Sequence, residues 1–129
     1  MQLQEGVERL SKLSGVNYRD STYWLDGDFL VHLFFTDVFD KFALPANDEQ
    51  DKAILASISE LCEEMFQSDD ELLVNGLEVS FLELAYRFRP RTDPLLLALG
   101  PKCWALIAGE HEYLAQRAQG AIRPLVSRA

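Results

Sequence analysis

Cysteine and histidine are scarce in this sequence, with two of each among 129 residues. Cys62 and Cys103 lie in apolar stretches, and neither has a second Cys or His at metal-ligand spacing. Zinc sites and disulfide frameworks need such spacing. Carboxylate metal sites in helical bundles use Glu-x-x-His pairs, which are also missing. We therefore expect two buried free thiols, no metal ion and no cofactor.

Glycine-rich loops and long apolar runs are missing as well. The seven glycines form neither G-x-G-x-x-G nor G-x-x-x-x-G-K, so no nucleotide-binding loop is indicated. No run of about 18 apolar residues occurs, and the first residues lack the basic start and apolar stretch of a signal peptide. These absences predict a cytoplasmic protein that does not act on membranes.

Positively charged residues are also few. The sequence has 12 Lys and Arg compared with 21 Asp and Glu, which gives a formal net charge of −9. Residues 1–85 carry 18 acidic and 5 basic side chains, whereas residues 86–129 carry 3 and 7. Such a field repels nucleic-acid phosphates and speeds encounters with basic proteins. We expect a basic protein partner and no nucleic acid; the alternative is that the charge only maintains solubility.

The composition is otherwise that of one folded unit, with 48% hydrophobic and 26% charged residues. We predict a single helical domain over residues 1–129. Near the N-terminus, Leu3, Val7, Leu10 and Leu13 recur at helical spacing, which predicts an amphipathic helix that ends at Gly15.

Residues 23–31 allow two interpretations. Asp26-Gly27 between aromatic and branched residues is a strong signal for a β-hairpin turn. The apolar residues that follow keep helical spacing, and Asp28 is placed to cap a helix. We favour a helix over about 29–43, ended by Pro45, and keep a short hairpin near 23–31 as the alternative.

The middle of the chain predicts two further helices. One carries an apolar stripe and begins after Asn47 and Gln50, which resemble a capping box; its stripe is Ile54, Leu55, Ile58, Leu61, Cys62, Met65 and Phe66. The other, residues 71–88, is apolar around most of its circumference and belongs at the centre of a bundle. On its polar stripe, Glu83 and Arg87 have the spacing of an ion pair.

A short helix from Leu95 to Leu99 and a last helix from Pro101 to about Gln119 complete the pattern, followed by a fraying tail. The fold class is therefore all-α, a compact bundle of about five or six helices. A catalytic alternative would gather His32 with Glu78 or Glu83 in one pocket. We expect instead that His32 forms a structural hydrogen bond, and that His111 lies among solvated charges.

An acidic surface is the main candidate for a functional site. If the helices lie side by side, their carboxylates form a patch for a basic protein, and neighbouring aromatic rings anchor the partner. The predicted partner-binding residues are Tyr23, Trp24, Asp26, Asp28, Asp37, Asp40, Glu60, Glu63, Glu64, Asp69, Asp70 and Glu71. A solvated helix face is the alternative for the same carboxylates.

Two stretches carry a family resemblance: Leu30-Val31-His32-Leu33-Phe34-Phe35-Thr36-Asp37-Val38, and Val79-Ser80-Phe81-Leu82-Glu83 with Leu99-Gly100-Pro101 downstream. Over residues 28–107 the chain resembles small bacterial helical proteins of unknown function, with relatives that look like immunity proteins of polymorphic toxin systems. The resemblance implies a protein that neutralises a toxin by covering its active site or an essential surface, and the acidic charge suits a basic toxin. A regulatory or adaptor module in a larger complex is the alternative function.

Overall fold

The first helix follows directly from its apolar spacing. The computed structural model describes residues 1–110, with side chains to residue 106. Helix α1 (Leu3–Ser14) buries Val7 and Leu10 and ends at Gly15, whose φ of 78° is the left-handed conformation that glycine adopts without strain. The Gly15 N–H donates to the Ser11 carbonyl oxygen, so the predicted end of this helix is confirmed.

Helices account for nearly all of the regular structure. After a 3₁₀ turn at Ser21–Tyr23 and a two-stranded hairpin, the helices within the described residues are α2 (Val31–Val38), α3 (Leu44–Glu49), α4 (Lys52–Met65), α5 (Glu71–Leu77), α6 (Glu83–Arg87), α7 (Asp93–Ala98) and α8 (Pro101–Glu110). Five-residue π-helical segments join α2 to α3 and α5 to α6. The described chain thus contains six unbroken helical rods, and the predicted all-α bundle of five or six helices is confirmed.

The rod formed by α2 and α3 differs from the prediction at both ends. It begins at Val31 with Leu30 as its N-cap, so Asp28 does not cap it and lies in the hairpin instead. Pro45 does not end it, because the π-helical segment Phe39–Ala43 precedes the proline and the helix continues to Glu49. Because proline has no N–H, Pro45 cannot donate a hydrogen bond to the carbonyl oxygen one turn earlier. The wider π-helical turn lies at the position of this missing hydrogen bond.

The predicted capping box before α4 is wrong, although the helix itself is confirmed. Asn47 is buried inside α3, where its amide donates to the Arg91 carbonyl oxygen (2.8 Å) and accepts from the Leu95 N–H (2.9 Å). These two hydrogen bonds of Asn47 connect α3 to the start of α7. The N-cap of α4 is Asp51, whose carboxylate accepts from the Ile54 N–H at 3.1 Å.

The rod formed by α5 and α6 lies in the middle of the bundle, as predicted. Leu73, Leu77 and Phe81 are buried along it, and it packs against α2 over much of its length. Gly76 permits this approach, because a Cβ there would lie 2.7 Å from Val31 Cγ1. On its exposed side, Arg87 and Glu83 form the predicted ion pair at 3.5 Å.

The buried side chains of the described residues form one hydrophobic cluster that extends from α1 to α8. Its largest fully buried side chains are aromatic: Phe34, Phe35, Phe39 and Phe81. Cys62 and Cys103 belong to it and are free thiols, as expected. Within residues 1–110, no helix is long and apolar enough to cross a membrane. The predicted end of the last helix, the tail and His111 lie outside the described residues.

Candidate protein-binding surface

A tight hairpin lies at one end of the bundle. Asp26 and Gly27 both have positive φ angles, 53° and 85°, which is the pattern of a type I′ turn. This turn pairs Trp24 with Phe29 and Leu25 with Asp28. The hairpin alternative is therefore the correct one for residues 24–29. Because paired residues lie on the same face, the rings of Trp24 and Phe29 are 5.1 Å apart.

The exposed indole of Trp24 is held in place. Its Nε1 donates to the Tyr18 carbonyl oxygen at 2.8 Å. The Phe29 ring beneath it packs edge-to-face on Tyr18 at 6.3 Å and contacts buried Phe34 at 5.7 Å. An unbroken series of rings thus connects the hairpin to the core, and the exposed Trp24 packs on one of them.

Two apolar grooves meet at Phe29. The indole groove, about 370 Å³, lies between α1 and the hairpin and is lined by Leu3, Gln4, Val7, Tyr18, Arg19, Trp24 and Phe29. The histidine groove, about 360 Å³, lies between the hairpin, α2 and α5 and is lined by Phe29, Leu30, Val31, His32, Leu33 and Leu72. We call the two grooves together the hairpin face.

Large apolar side chains are unusually exposed on the hairpin face. Trp24 is 41% exposed, Leu33 39% and Leu72 62%. Together they make up three of the seven exposed large hydrophobic residues in the described part of the chain, and Leu25, on the other side of the hairpin, is a fourth. Clustered exposure of this kind is characteristic of a protein-binding surface.

Carboxylates border the hairpin face. Asp26 lies in the hairpin turn, and Glu71 precedes Leu72 at the start of α5. Asp28 pairs with Leu25 and lies on the opposite side of the hairpin from Trp24 and Phe29; all three carboxylates are exposed. None of the three forms a side-chain hydrogen bond or ion pair with another described residue. Arg19 supplies a single cation at the indole groove, where its Nε donates to the Tyr18 hydroxyl at 3.1 Å, and this bond raises the pKa of Arg19. Three predicted site carboxylates therefore remain available to a partner.

Asp69 and Asp70, beside Glu71, have structural contacts. Asp70 accepts from the Leu72 N–H at 3.1 Å as the N-cap of α5, and its second oxygen accepts from the Leu3 N–H at 2.8 Å. One carboxylate thus satisfies backbone donors at the starts of two helices. Asp69 accepts more weakly, from the Gln2 amide at 3.2 Å on the surface.

The three glutamates predicted on α4 do not join the hairpin face. Glu63 accepts from the Lys102 and Cys103 N–H groups at 3.0 and 3.1 Å, so it caps α8 from a neighbouring helix. Glu64 forms an ion pair with Arg9 on α1. Glu60 is exposed on the same helix, and its charge contributes to raising the pKa of Arg9.

Tyr23 and Asp37 form a partly buried pair below the surface. The Tyr23 ring is buried, and its hydroxyl donates to the Asp37 carboxylate at 2.7 Å. Burial and this hydrogen bond raise the pKa of Tyr23 to about 12. Asp37 also contacts Lys41 at 3.5 Å, and Asp40 is exposed in the π-helical segment that follows α2. This placement removes Tyr23 from the accessible surface and leaves Trp24 as the exposed one of the two aromatic residues predicted to bind a partner.

The histidine groove does not gather the residues of the catalytic alternative. His32 Nδ1 lies 2.7 Å from the Ser80 hydroxyl oxygen, which agrees with the expected structural hydrogen bond. Neither Glu78 nor Glu83 lines the histidine groove, and Glu83 contacts Arg87. Ser80 is buried, so its hydroxyl is not presented to a substrate in this conformation.

Metal-ligating side chains do not cluster in the part of the chain that the structure describes. Burial raises the pKa of Cys62 to about 12 and also raises that of Cys103. Neither thiol is therefore a thiolate near neutral pH, and thiolate is the form that binds metals.

Sequence reasoning missed two leucines of the hairpin face. Leu72 belongs to the almost entirely apolar helix predicted for the centre of the bundle, but it lies in the first turn of α5 and is 62% exposed. Leu33 falls outside the α2 stripe that includes Phe34, Phe35 and Val38. The position of Leu33 outside this stripe was the signal in the sequence that its side chain would be exposed.

Comparison of the chain with protein-family models, with curated proteins and with solved structures finds no significant match. The resemblance to relatives of immunity proteins therefore stays a prediction.

Proposed function

We propose that this chain is an immunity-type binding protein that neutralises a basic toxin domain by covering part of its surface with the hairpin face. The observation that carries the proposal is a rigid, exposed aromatic and aliphatic surface bordered by carboxylates that have no partner among the described residues. The toxin itself is suggested by the family resemblance.

The apolar centre supports binding strong enough for neutralisation. A tryptophan that is already fixed loses little conformational entropy when a partner covers it. Trp24 meets this condition through its bond to Tyr18 and its packing on Phe29. Leu33 and Leu72 extend the contact area on the other side of Phe29.

The acidic border supports a basic partner. Asp26 in the hairpin turn and Glu71 next to Leu72 lie beside the apolar centre, within a chain of net charge −9. Opposite charges at the border of an interface accelerate association and discriminate against wrong partners. Because these carboxylates are exposed, their contribution decreases as salt screens it.

The direct test is growth rescue. The chain is co-expressed with the basic protein encoded beside its own gene, under separate inducible promoters, and colony formation is measured. We expect rescue by the unmodified chain and by Leu97→Ser, and loss of rescue with Leu72→Ser. Leu97 is a matched control because it is also an exposed leucine, 44% accessible, but lies in another groove. A neighbouring protein that is not toxic, or rescue by all three chains, would count against the proposal.

An adaptor function is the second candidate, and one observation favours it. A separate apolar groove of about 430 Å³ lies between α4 and α7 and is lined by Gln50, Lys52, Leu55, Ala56, Pro94, Leu97 and Ala98. A molecule with two such grooves could hold two proteins at once. An adaptor would lose one partner with Leu72→Ser and a different one with Leu97→Ser.

A further inference from the structure

We propose that the partner segment occupying the hairpin face is a basic amphipathic helix that places one large apolar side chain in each of the two grooves. This inference rests on the proposed function, because it names the part of the partner that binds.

The two grooves favour two anchoring side chains. Both are lined by Phe29, one between α1 and the hairpin and the other between the hairpin, α2 and α5, and they have nearly equal volumes, about 370 and 360 Å³. Residues three or four apart on a helix project from the same face with Cβ atoms about 5–6 Å apart. A pair at that spacing can straddle one aromatic ring, with one side chain on each side.

The hairpin is poorly suited to the other common binding mode, addition of a strand. Each of its strands has two residues, Trp24–Leu25 and Asp28–Phe29. The N–H of Trp24 already donates to the Ser21 carbonyl oxygen. So short an edge offers too few backbone groups to hold an extended peptide, whereas a helix needs only the grooves.

Charge favours a basic helix over a second copy of this chain. Two copies joined through their hairpin faces would bring Asp26 and Glu71 of one close to the same carboxylates of the other, and each copy has a net charge of −9. Like charges at an interface border oppose association, whereas Lys and Arg side chains flanking the two anchors would pair with them.

Panning of a randomised peptide library against the full chain tests this inference. Peptides of about 15 residues are long enough to form a helix when one face is covered. We expect the enriched sequences to carry two large apolar residues three or four positions apart, with Lys or Arg beside them. Sequences without this spacing or without basic residues, or no enrichment above background, would overturn the inference.

The selected peptide then shows where it binds and in which conformation. We expect Leu72→Ser to weaken its binding by about fivefold or more, because the 62% of the leucine side chain that is exposed would no longer be there for the peptide to bury. Leu97→Ser should leave the affinity unchanged. A proline at the centre of the peptide should abolish binding, because proline breaks the helix. Equal affinity of the proline peptide, or equal loss with both leucine variants, would contradict the helix or its location.

This experiment separates the inference from the proposed function. The library contains no toxin, so toxin rescue without selected helices would refute the helix and leave neutralisation standing. Selection of basic helices, with no toxin that the chain neutralises, would refute the proposed function and leave the helix standing. Sedimentation equilibrium of the free chain tests whether a second copy occupies the hairpin face. A dimer that Leu72→Ser dissociates would overturn the inference in favour of a second copy. A monomer supports the inference.

Discussion

Replacing Asp70 by alanine should destabilise the protein far more than replacing its neighbour Asp69. Asp70 caps α5 through the Leu72 N–H, and loss of an N-cap costs about 1 kcal/mol. It also holds the Leu3 N–H at 2.8 Å, and loss of a bond to a charged acceptor costs about 1–2 kcal/mol. The expected decrease in the free energy of unfolding is about 2–3 kcal/mol.

Thermal and urea unfolding followed by circular dichroism measure this difference. For 129 residues, 2–3 kcal/mol corresponds to a decrease in Tm of about 7–11 °C. Asp69→Ala removes the same charge but only a surface bond to Gln2, so its effect should stay within about 0.5 kcal/mol. Asp70→Asn retains a capping oxygen and should fall between the two. Equal stability of the two alanine variants would refute the assignment of Asp70 as a shared cap.

Three further predictions concern buried groups. Asn47→Ala leaves the Leu95 N–H unpaired and should cost about 2–4 kcal/mol in urea unfolding. Gly76→Ala places a Cβ 2.7 Å from Val31 Cγ1 and should cost about 1–3 kcal/mol by the same measurement. The buried Cys62 thiol, with its pKa raised to about 12 from the usual 9.0, should resist a thiol reagent at pH 8 until the protein unfolds. It binds its proton more tightly when folded, so its contribution to stability is complete below pH 9 and is lost as the pH rises towards 12; the wild type should lose stability there faster than Cys62→Ala.

The helices whose apolar side chains repeat at helical spacing could be predicted well, because burial of such a stripe decides the local structure. This holds for α1, for α4 and for the central rod from α5 to α6. Helix boundaries were less predictable. Pro45 is a local stop signal that a π-helical segment overrides, and Asn47 resembles a cap locally but bonds to Leu95, which is 48 positions away.

The candidate site was predictable only in part for a similar reason. Asp26-Gly27 carried a valid hairpin signal, and Trp24 was correctly placed on the accessible surface. Charge counts could not show which carboxylates serve backbone donors on distant elements. Asp70 and Glu63 both do so, and only the folded arrangement brings those donors to them.

The central claim is that a basic protein binds the hairpin face. Its most direct test is affinity capture from the native host's lysate with three baits, the unmodified chain, Leu72→Ser and Leu97→Ser, at low and at moderate salt. We predict that the unmodified chain and Leu97→Ser retain the same basic protein in near-equal amount, that moderate salt weakens this capture, and that Leu72→Ser loses it. Equal capture by all three baits, or no basic protein with any of them, would contradict the account.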